Sequence, residues 1–371
     1  MNIFEICSKF KINAVAIKTI KQGIINNSWE VTDLVGDEYV VQEINSKIFD
    51  NIDSLMDNIC RVTNHIKNKI LLSGGDISRE VLTIIPFENQ NYFSYVDDKN
   101  VRHYYRAYKY VKNASTYDDA DETLLYQAGV GFGRFQKQLA DFKVDTLYES
   151  IPNFHNTIKR FETFEKVLDN ISFETYNKTK TEIKEILKSY KYADVIMKPL
   201  LNGDIPKRVV HNDTKLNNVM LDDFTHQAIC IIDLDTIMPG SLLFDYGDAI
   251  RYCANTGSED DVNLDNIKFD LKKFVAFTYG FISQTYGDLT TNELNLLSKA
   301  PMVLTYELAL RFLTDFLNGN IYFKCDPTRP NHNLERTKAQ LKLLKEFEKN
   351  EDKMDKIIKF LYNKCLEDNN I

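Results

Sequence analysis

Residues 211–218, HNDTKLNN, and residues 231–235, IIDLD, set Asp213, Asn218 and Asp233 beside short apolar runs. Carboxylates resist burial unless a metal ion, a partner charge or a reacting hydroxyl compensates them. RVV, residues 208–210, reads as a strand and HNDTKLN as a loop. NVMLDD and QAICIIDLD then read as a hairpin turning at Asp222 to Thr225. Asp213 and Asn218 fall on the loop, and Asp233 follows CII directly. A carboxylate, an amide oxygen and a second carboxylate are thus expected at one edge. Phosphoryl transfer needs such a set. One carboxylate orients and deprotonates the attacking hydroxyl, while an amide and another carboxylate hold magnesium against nucleotide phosphates. A polar turn with capping aspartates would explain either aspartate alone. H-x-D-x-x-x-x-N followed by an apolar strand ending in Asp is the more specific pattern.

The elements around this segment divide the chain. VAIKTIKQG, INNSWEVTDL and DEYVVQEIN read as three strands in meander order. SLMDNICRVTNHIKNKIL places Leu55, Ile59, Val62 and Ile66 at helical spacing. REVLTIIPF and NYFSYVD return to strand character, and YYRAYKYVKNAS ends this part. After Ser115 the pattern is helical except around the opening segment, and Pro301 should kink or split one long helix. The expected fold class is α+β with two lobes, a small β-rich one and a larger, mostly helical one. A cleft between two such lobes is a natural ligand site.

Composition narrows the partners. The 371 residues are 43% hydrophobic and 27% charged, as in a soluble globular protein, and the length favours two or three structural units. A net charge of -8 with interleaved signs gives no reason to expect nucleic acid as a partner. The six cysteines lack metal spacing and read as buried thiols of a reducing compartment. The six histidines form no HExxH or HxxxH arrangement, which disfavours zinc. No run approaches the ~18 apolar residues of a membrane span, and the start lacks a secretory signal pattern. No membrane partner is expected, and the expected location is cytoplasmic.

On His211, Asp213 and Asn218, the loop resembles the catalytic loop of the aminoglycoside phosphotransferase and choline kinase superfamily, whose fold is that of the protein kinases. IIDLD resembles its metal-binding strand end and DYGDAIR the helix that follows. YVVQEIN, IDLDTIMPG and RFLTDFLNGNIYF extend the likeness to the N-acetylhexosamine 1-kinases within that superfamily, from about Gly23 to about Phe323. The resemblance implies a protein-kinase-like fold: a nucleotide-binding lobe over 1–105, a hinge over 106–113 and a catalytic and substrate lobe over 114–371. It implies ATP and Mg2+ as cofactors, and transfer to the anomeric hydroxyl of GlcNAc or GalNAc. Asp213 would be the catalytic base, and Asn218 and Asp233 the magnesium ligands. Asp235, on the same strand face as Asp233, would support metal or substrate, and Lys215, Arg311 and Tyr322 would contact the sugar. His211 is expected to hold the loop, and Asp245 and Asp248 to brace it or cap the helix leading to Arg251.

KQGIINNSWEV would be the phosphate-covering turn, with Gly23, Asn26, Asn27 and Ser28 offering backbone and side-chain donors. The hinge YRAYKYV, with Tyr108 and Tyr110, would meet adenine through its backbone. One departure stands out. Where many relatives carry a lysine that pairs the α- and β-phosphates, this strand has Gln42 followed by Glu43. Lys18, Lys21 and Arg106 are the cations on neighbouring strands, and the sequence does not choose among them. The sequence also leaves open which N-acetylhexosamine is preferred, ATP or GTP, the pathway, and whether the chain is a monomer or a weak homodimer. Rival readings are a kinase for an aminoglycoside, choline or homoserine, and a nucleotide-binding pseudokinase. Lys215 and Arg311 near the acceptor oppose a polycationic substrate.

Overall fold

Three strands in the first 45 residues pair as an antiparallel meander, and helices dominate after residue 116. The computed structural model describes residues 1–20 and 25–369. In chain order, α1 (Ile3–Lys9), β1 (Ala14–Ile20), β2 (Asn27–Asp33) and β3 (Glu38–Glu43) are followed by α2 (Ile52–Ser73). Next come β4 (Ile84–Ile85), β5 (Phe93–Val96), β6 (Arg102–Lys109) and β7 (Ala114–Ser115). Helices α3 (Glu122–Gln138), α4 (Thr157–Leu168), α5 (Phe173–Lys188) and α6 (Met197–Asn202) lead to β8 (Arg208–Val210). The hairpin β9 (Val219–Asp222) and β10 (Ala228–Ile231) follows. Helices α7 (Leu242–Cys253), α8 (Leu271–Thr285), α9 (Thr291–Leu296), α10 (Ala300–Leu317) and α11 (His332–Asp368) complete the chain.

These elements form two compact units. The first comprises Met1–Thr116, Asp141–Ile151 and Val219–Met238, and the second Tyr117–Ala140, Pro152–Asn218 and Pro239–Ile371. The architecture is α+β, with a β-sheet unit and a larger helical one. The chain leaves the first unit and returns to it twice, a course that one boundary drawn along the sequence does not contain.

In the first unit the sheet runs β1-β2-β3-β6-β4, with β5 also paired to β6. β2 and β3 pair from Asn27↔Glu43 to Thr32↔Glu38, and β3 meets β6 with Gln42 opposite Arg106. Val31, Val41 and Ala107 lie on one face, and α1 covers them with Ile6, Cys7 and Phe10. This first helix was not expected from the sequence. Its Asn2 cap accepts from the Glu5 N–H, and Glu5 answers through the Asn2 N–H, a reciprocal cap that stabilises a short helix. The expected REVLTIIPF strand shrinks to two residues, Ile84 and Ile85.

The second unit is a stack of helices in which α3 packs along α8, and α10 packs against α7 and α11. Contact between α3 and α8 is backbone to backbone. A Cβ on Gly280 would meet the Tyr126 carbonyl oxygen at 2.0 Å, and one on Gly129 would meet the Phe277 carbonyl oxygen at 2.2 Å. Only glycine allows that approach. Pro301 sits at the start of α10, so the long helical run divides there as its ring requires. Among the described residues the six cysteines are free thiols, and no helix is long and apolar enough to cross a membrane.

Because α3 and α8 have no room to spare, Gly280→Ala should destabilise the protein by at least about 2 kcal/mol, the upper range for overpacking a core. Urea unfolding measures this directly. A loss under about 0.5 kcal/mol would show that the two helices separate freely.

Candidate active site

The 211–218 loop is held from below. Asp245, buried in the first turn of α7, accepts from the His211 N–H at 3.1 and 3.0 Å and from the Asn212 N–H at 2.8 Å. Gln136 of α3 donates to its Oδ2 at 2.8 Å and to the Val209 carbonyl of β8 at 3.1 Å. Thr214 Oγ1 donates to the Asp245 carbonyl at 2.7 Å. Burial raises the Asp245 pKa, and His211 with the N–H donors opposes that rise. His211 is fully buried between the ring edges of Phe132 and Phe135, and its Nδ1 accepts from the Asp213 N–H at 3.2 Å. Asn212 has a φ of 63°, a left-handed conformation that asparagine tolerates. His211 and Asp245 hold the loop, as the sequence suggested.

At the loop surface Asp213 Oδ1 is 2.8 Å from Lys215 Nζ. Asn218 Nδ2 donates to the Asp213 carbonyl at 2.8 Å and to its Oδ2 at 3.2 Å. The Asn218 amide is thereby turned with its Oδ1 on the side away from Asp213. Burial works against the Lys215 charge, but Asp213 outweighs it and the lysine pKa lies above its ordinary value. Asp248 pairs with Arg251 at 2.9 Å. Burial opposes its ionisation, yet Arg251 first, then His155 and Lys215, hold its pKa low.

Asp213 and Asn218 belong to the second unit, and Asp233 and Asp235 to the first. The hairpin pairs Ala228 with Leu221 and Ile231 with Val219, as expected. Two details differ from the sequence reading. β10 ends at Ile231, so Asp233 lies past the strand, with a φ of 58°. Asp235 does not share its strand face; it sits in a 3-10 turn over Leu234–Thr236. The left-handed residue at 233 breaks the strand alternation on which the shared face depended.

Asp235 is buried and ion-paired with Arg106, which is 1% exposed. Its Oδ2 accepts from Asn26 Nδ2 at 2.6 Å. Arg106 Nε donates to Gln42 Oε1 at 3.0 Å, and Gln42 Nε2 to Ser28 Oγ at 2.9 Å. Both carboxylate oxygens of Asp235 are thus engaged inside the first unit. Of the three candidate cations, Lys18 pairs with Glu30 at the surface, and Lys21, like Gly23, lies outside the described residues. Arg106 is the one directly opposite Gln42. Burial opposes its charge and Asp235 restores it, so its pKa stays above the ordinary value. Asn27 Nδ2 donates to Glu43 Oε2 at 3.0 Å. Tyr108 is buried within β6, between β3 and β4, and the Tyr110 N–H donates to the Glu38 carbonyl at 3.0 Å. The strand continues to Lys109, so residues 106–109 of the expected hinge are sheet.

In the second unit Arg311 and Tyr322 come together. The Arg311 guanidinium lies 5.8 Å from the Tyr322 ring centre and 5.4 Å from each of Phe154 and Phe323. Arg311 is not a surface cation, for its side chain is 11% exposed, while Tyr322 is 61% exposed and not core. Two carboxylates on α10, one turn before and one turn after Arg311, hold them, and the sequence reading missed both. Glu307 lies 3.8 Å from Arg311 and also binds His155 and Thr157 at 2.9 and 2.7 Å. Asp315 accepts the N–H groups of Ile321, Tyr322 and Phe323 at 2.8–2.9 Å, and Asn333 Nδ2 at 2.8 Å. The spacing 307, 311, 315 is one helix face, the only sequence signal that could have found them.

The phosphotransferase enzyme family model matches residues 16–272. Among solved structures, a microcompartment-associated aminopropanol kinase superimposes with a TM-score of 0.63 at 12% identity, covering 94% of this chain and 97% of that one. An aminoglycoside phosphotransferase from Alicyclobacillus acidocaldarius gives 0.59 at 12% identity, over 95% and 97% of the two chains. An amicoumacin kinase in complex with AMP-PNP and Ca2+ gives 0.53 at 14% identity, over 88% and 87%. These structural likenesses show a shared fold, while the family match covers more than half of the sequence. The chain belongs to the phosphotransferase enzyme family, within the aminoglycoside phosphotransferase and choline kinase superfamily.

Proposed function

We propose that this phosphotransferase moves the terminal phosphoryl group of ATP to the anomeric hydroxyl of an N-acetylhexosamine, GlcNAc or GalNAc. The observation that supports the acceptor is the presence of two cations, Lys215 and Arg311, in the unit that holds Asp213. Lys215 is in contact with Asp213, and Arg311 with Tyr322 lies in the same unit. Aminopropanol and aminoglycosides, after which two of the structural relatives are named, carry amines that such cations would repel. A neutral sugar offers hydroxyl and acetamido oxygens that accept from lysine, arginine and tyrosine.

Asp213 orients the sugar 1-hydroxyl and takes its proton as the oxygen attacks phosphorus. Lys215 and Asn218 each donate to one oxygen of Asp213, which keeps the carboxylate in a single orientation for that step. Asn218, with its Nδ2 spent on Asp213, would offer its amide oxygen to a magnesium ion, and Asp233 is the carboxylate that the reading assigns to it. The ion offsets phosphate charge when it is bound with the nucleotide. Asn26, Asn27, Ser28 and Gln42 line the nucleotide side, and Tyr108 and Tyr110 mark the strand end near adenine. Arg106, neutralised by Asp235, acts there as a brace. With Arg106 engaged by Asp235, the metal and N–H donors would meet the charge on the phosphates.

Phosphorus NMR of the product from ATP, magnesium and GlcNAc or GalNAc should show a sugar 1-phosphate. A 6-phosphate, or turnover only with aminopropanol, choline or an aminoglycoside, overturns the acceptor. Asp213→Asn should lower turnover by at least ~10²-fold with ATP affinity unchanged, the usual scale for a general base. Near-normal turnover by the folded variant would remove Asp213 from that role. Arg311→Ala and Tyr322→Phe should raise the sugar KM roughly tenfold to a hundredfold and leave the ATP KM nearly constant. Equal effects on both constants would place these residues away from the acceptor.

A further inference from the structure

The buried face of α2 is mostly apolar, with Leu55, Met56, Ile59, Val62 and Ile66, yet it carries the fully buried Asn58. A buried amide is costly unless its hydrogen bonds are made. Asn58 makes three. Its Nδ2 donates to the Tyr148 carbonyl at 2.8 Å and to the Ile237 carbonyl at 3.0 Å, and its Oδ1 accepts from the Tyr148 N–H at 2.9 Å. These partners lie 90 and 179 residues along the chain, both within the first unit. A leucine would fill a similar volume without fixing either segment, so the amide specifies where the two sit. The segment carrying Tyr148 follows the same helix, for Asn58, Arg61, His65 and Lys69 share one face of α2. Arg61 Nη1 donates to the Thr146 carbonyl at 2.5 Å, His65 Nε2 is 2.9 Å from Asp141 Oδ1, and Lys69 Nζ donates to Asp141 Oδ2 at 2.6 Å. Asn58, at the head of this row, is the residue that also bonds Ile237.

Ile237 closes the 3-10 turn over Leu234–Thr236, its N–H donating to the Leu234 carbonyl at 3.2 Å. The turn is held at one end by the pairing of β10 with β9, in the middle by Asp235 with Arg106, and at the other end by Asn58. Asp233 lies between the first two holds, in the left-handed conformation. Arg106 and Asn26 engage the two oxygens of Asp235, so of the two carboxylates in this stretch the magnesium reading falls on Asp233. We infer that Asn58 is a positioning residue for Asp233. Its amide locks the far end of the 233–237 turn to α2 and to the 141–151 segment, and so sets where the Asp233 carboxylate meets magnesium nucleotide. The inference rests on the reading of Asp233 as a magnesium ligand and adds the group that holds it in place. Whatever Asn58 contributes to that binding, the ligand returns by stabilising the Asn58 bonds to the same extent.

Calorimetric titration of the whole chain with ATP, in excess magnesium and again with the metal chelated, tests this without any turnover. Asn58→Leu and Asn58→Ser should each lose roughly tenfold in affinity with magnesium, the scale of one or two hydrogen bonds, and change little without it. A residue that served general stability alone would weaken both titrations alike. Lys69→Gln, which releases the far end of the 141–151 segment, should bind as the wild type does in both. In the wild type, ATP with magnesium should slow hydrogen exchange at the Tyr148 N–H, and ATP with the chelator should not. Unchanged magnesium affinity in a folded Asn58 variant, equal losses in the two titrations, or the same loss in Lys69→Gln overturns the inference. So does Tyr148 exchange that ignores magnesium ATP. Asp233→Ala, titrated beside them, separates the two readings. A loss there with none in the Asn58 variants removes the positioning role alone, while full magnesium affinity in Asp233→Ala removes the metal assignment and the inference with it.

Discussion

A buried carboxylate that accepts from three donors carries the geometry of the 211–218 loop. Asp245 takes the N–H groups of His211 and Asn212 and the amide of Gln136, while Thr214 bonds its own carbonyl. Each hydrogen bond to a charged group contributes about 1.5–3 kcal/mol, and a buried donor left unmatched costs a similar amount. The loop therefore has one conformation in which all of these groups are satisfied. That conformation puts Asn212 in the left-handed region and brings Lys215 and Asn218 onto Asp213. Helix α3, which supplies Gln136, is in turn fixed by its glycine contact with α8. The position of Asp213 thus depends on a backbone contact well outside the loop.

The first unit solves a similar problem with opposite charge. Arg106 is withdrawn from water within the sheet, where an unpaired cation would be strongly destabilising. Asp235 pairs with it, and Gln42 and Asn26 occupy the remaining directions. A lysine at position 42 would set a second cation against Arg106. The neutral amide is therefore a consequence of the buried arginine, and the departure from the family pattern has a local electrostatic cause.

Helix α10 orders segments that lie outside it. Glu307, Arg311 and Asp315 follow at four-residue spacing, and each carboxylate orders something the helix itself does not contain. Glu307 gathers His155, Thr157 and Arg311, and Asp315 closes the turn that carries Tyr322. Tyr322 is exposed, yet its backbone is anchored, a combination suited to a ring that meets a ligand without rearranging.

Local order is what the sequence by itself determined: the β1–β2–β3 meander, the β9–β10 hairpin, the break at Pro301, the α+β class and the spacing of HNDTKLNN. Each follows from periodicity, turn chemistry or the covalent geometry of proline, which act over a few residues. The reach of α1 over the sheet was hidden, because seven residues carry too little periodicity to announce a helix. So was the end of β10 at Ile231, for a strand and a left-handed exit share the same apolar run. Only tertiary structure decided the partners of charge. Arg106 meets Asp235 across 129 residues, His155 meets Glu307 across 152, and Gln136 meets Asp245 across 109. Ion pairs and buried hydrogen bonds are set by burial and by neighbours brought in from distant segments, and neither is written in local spacing.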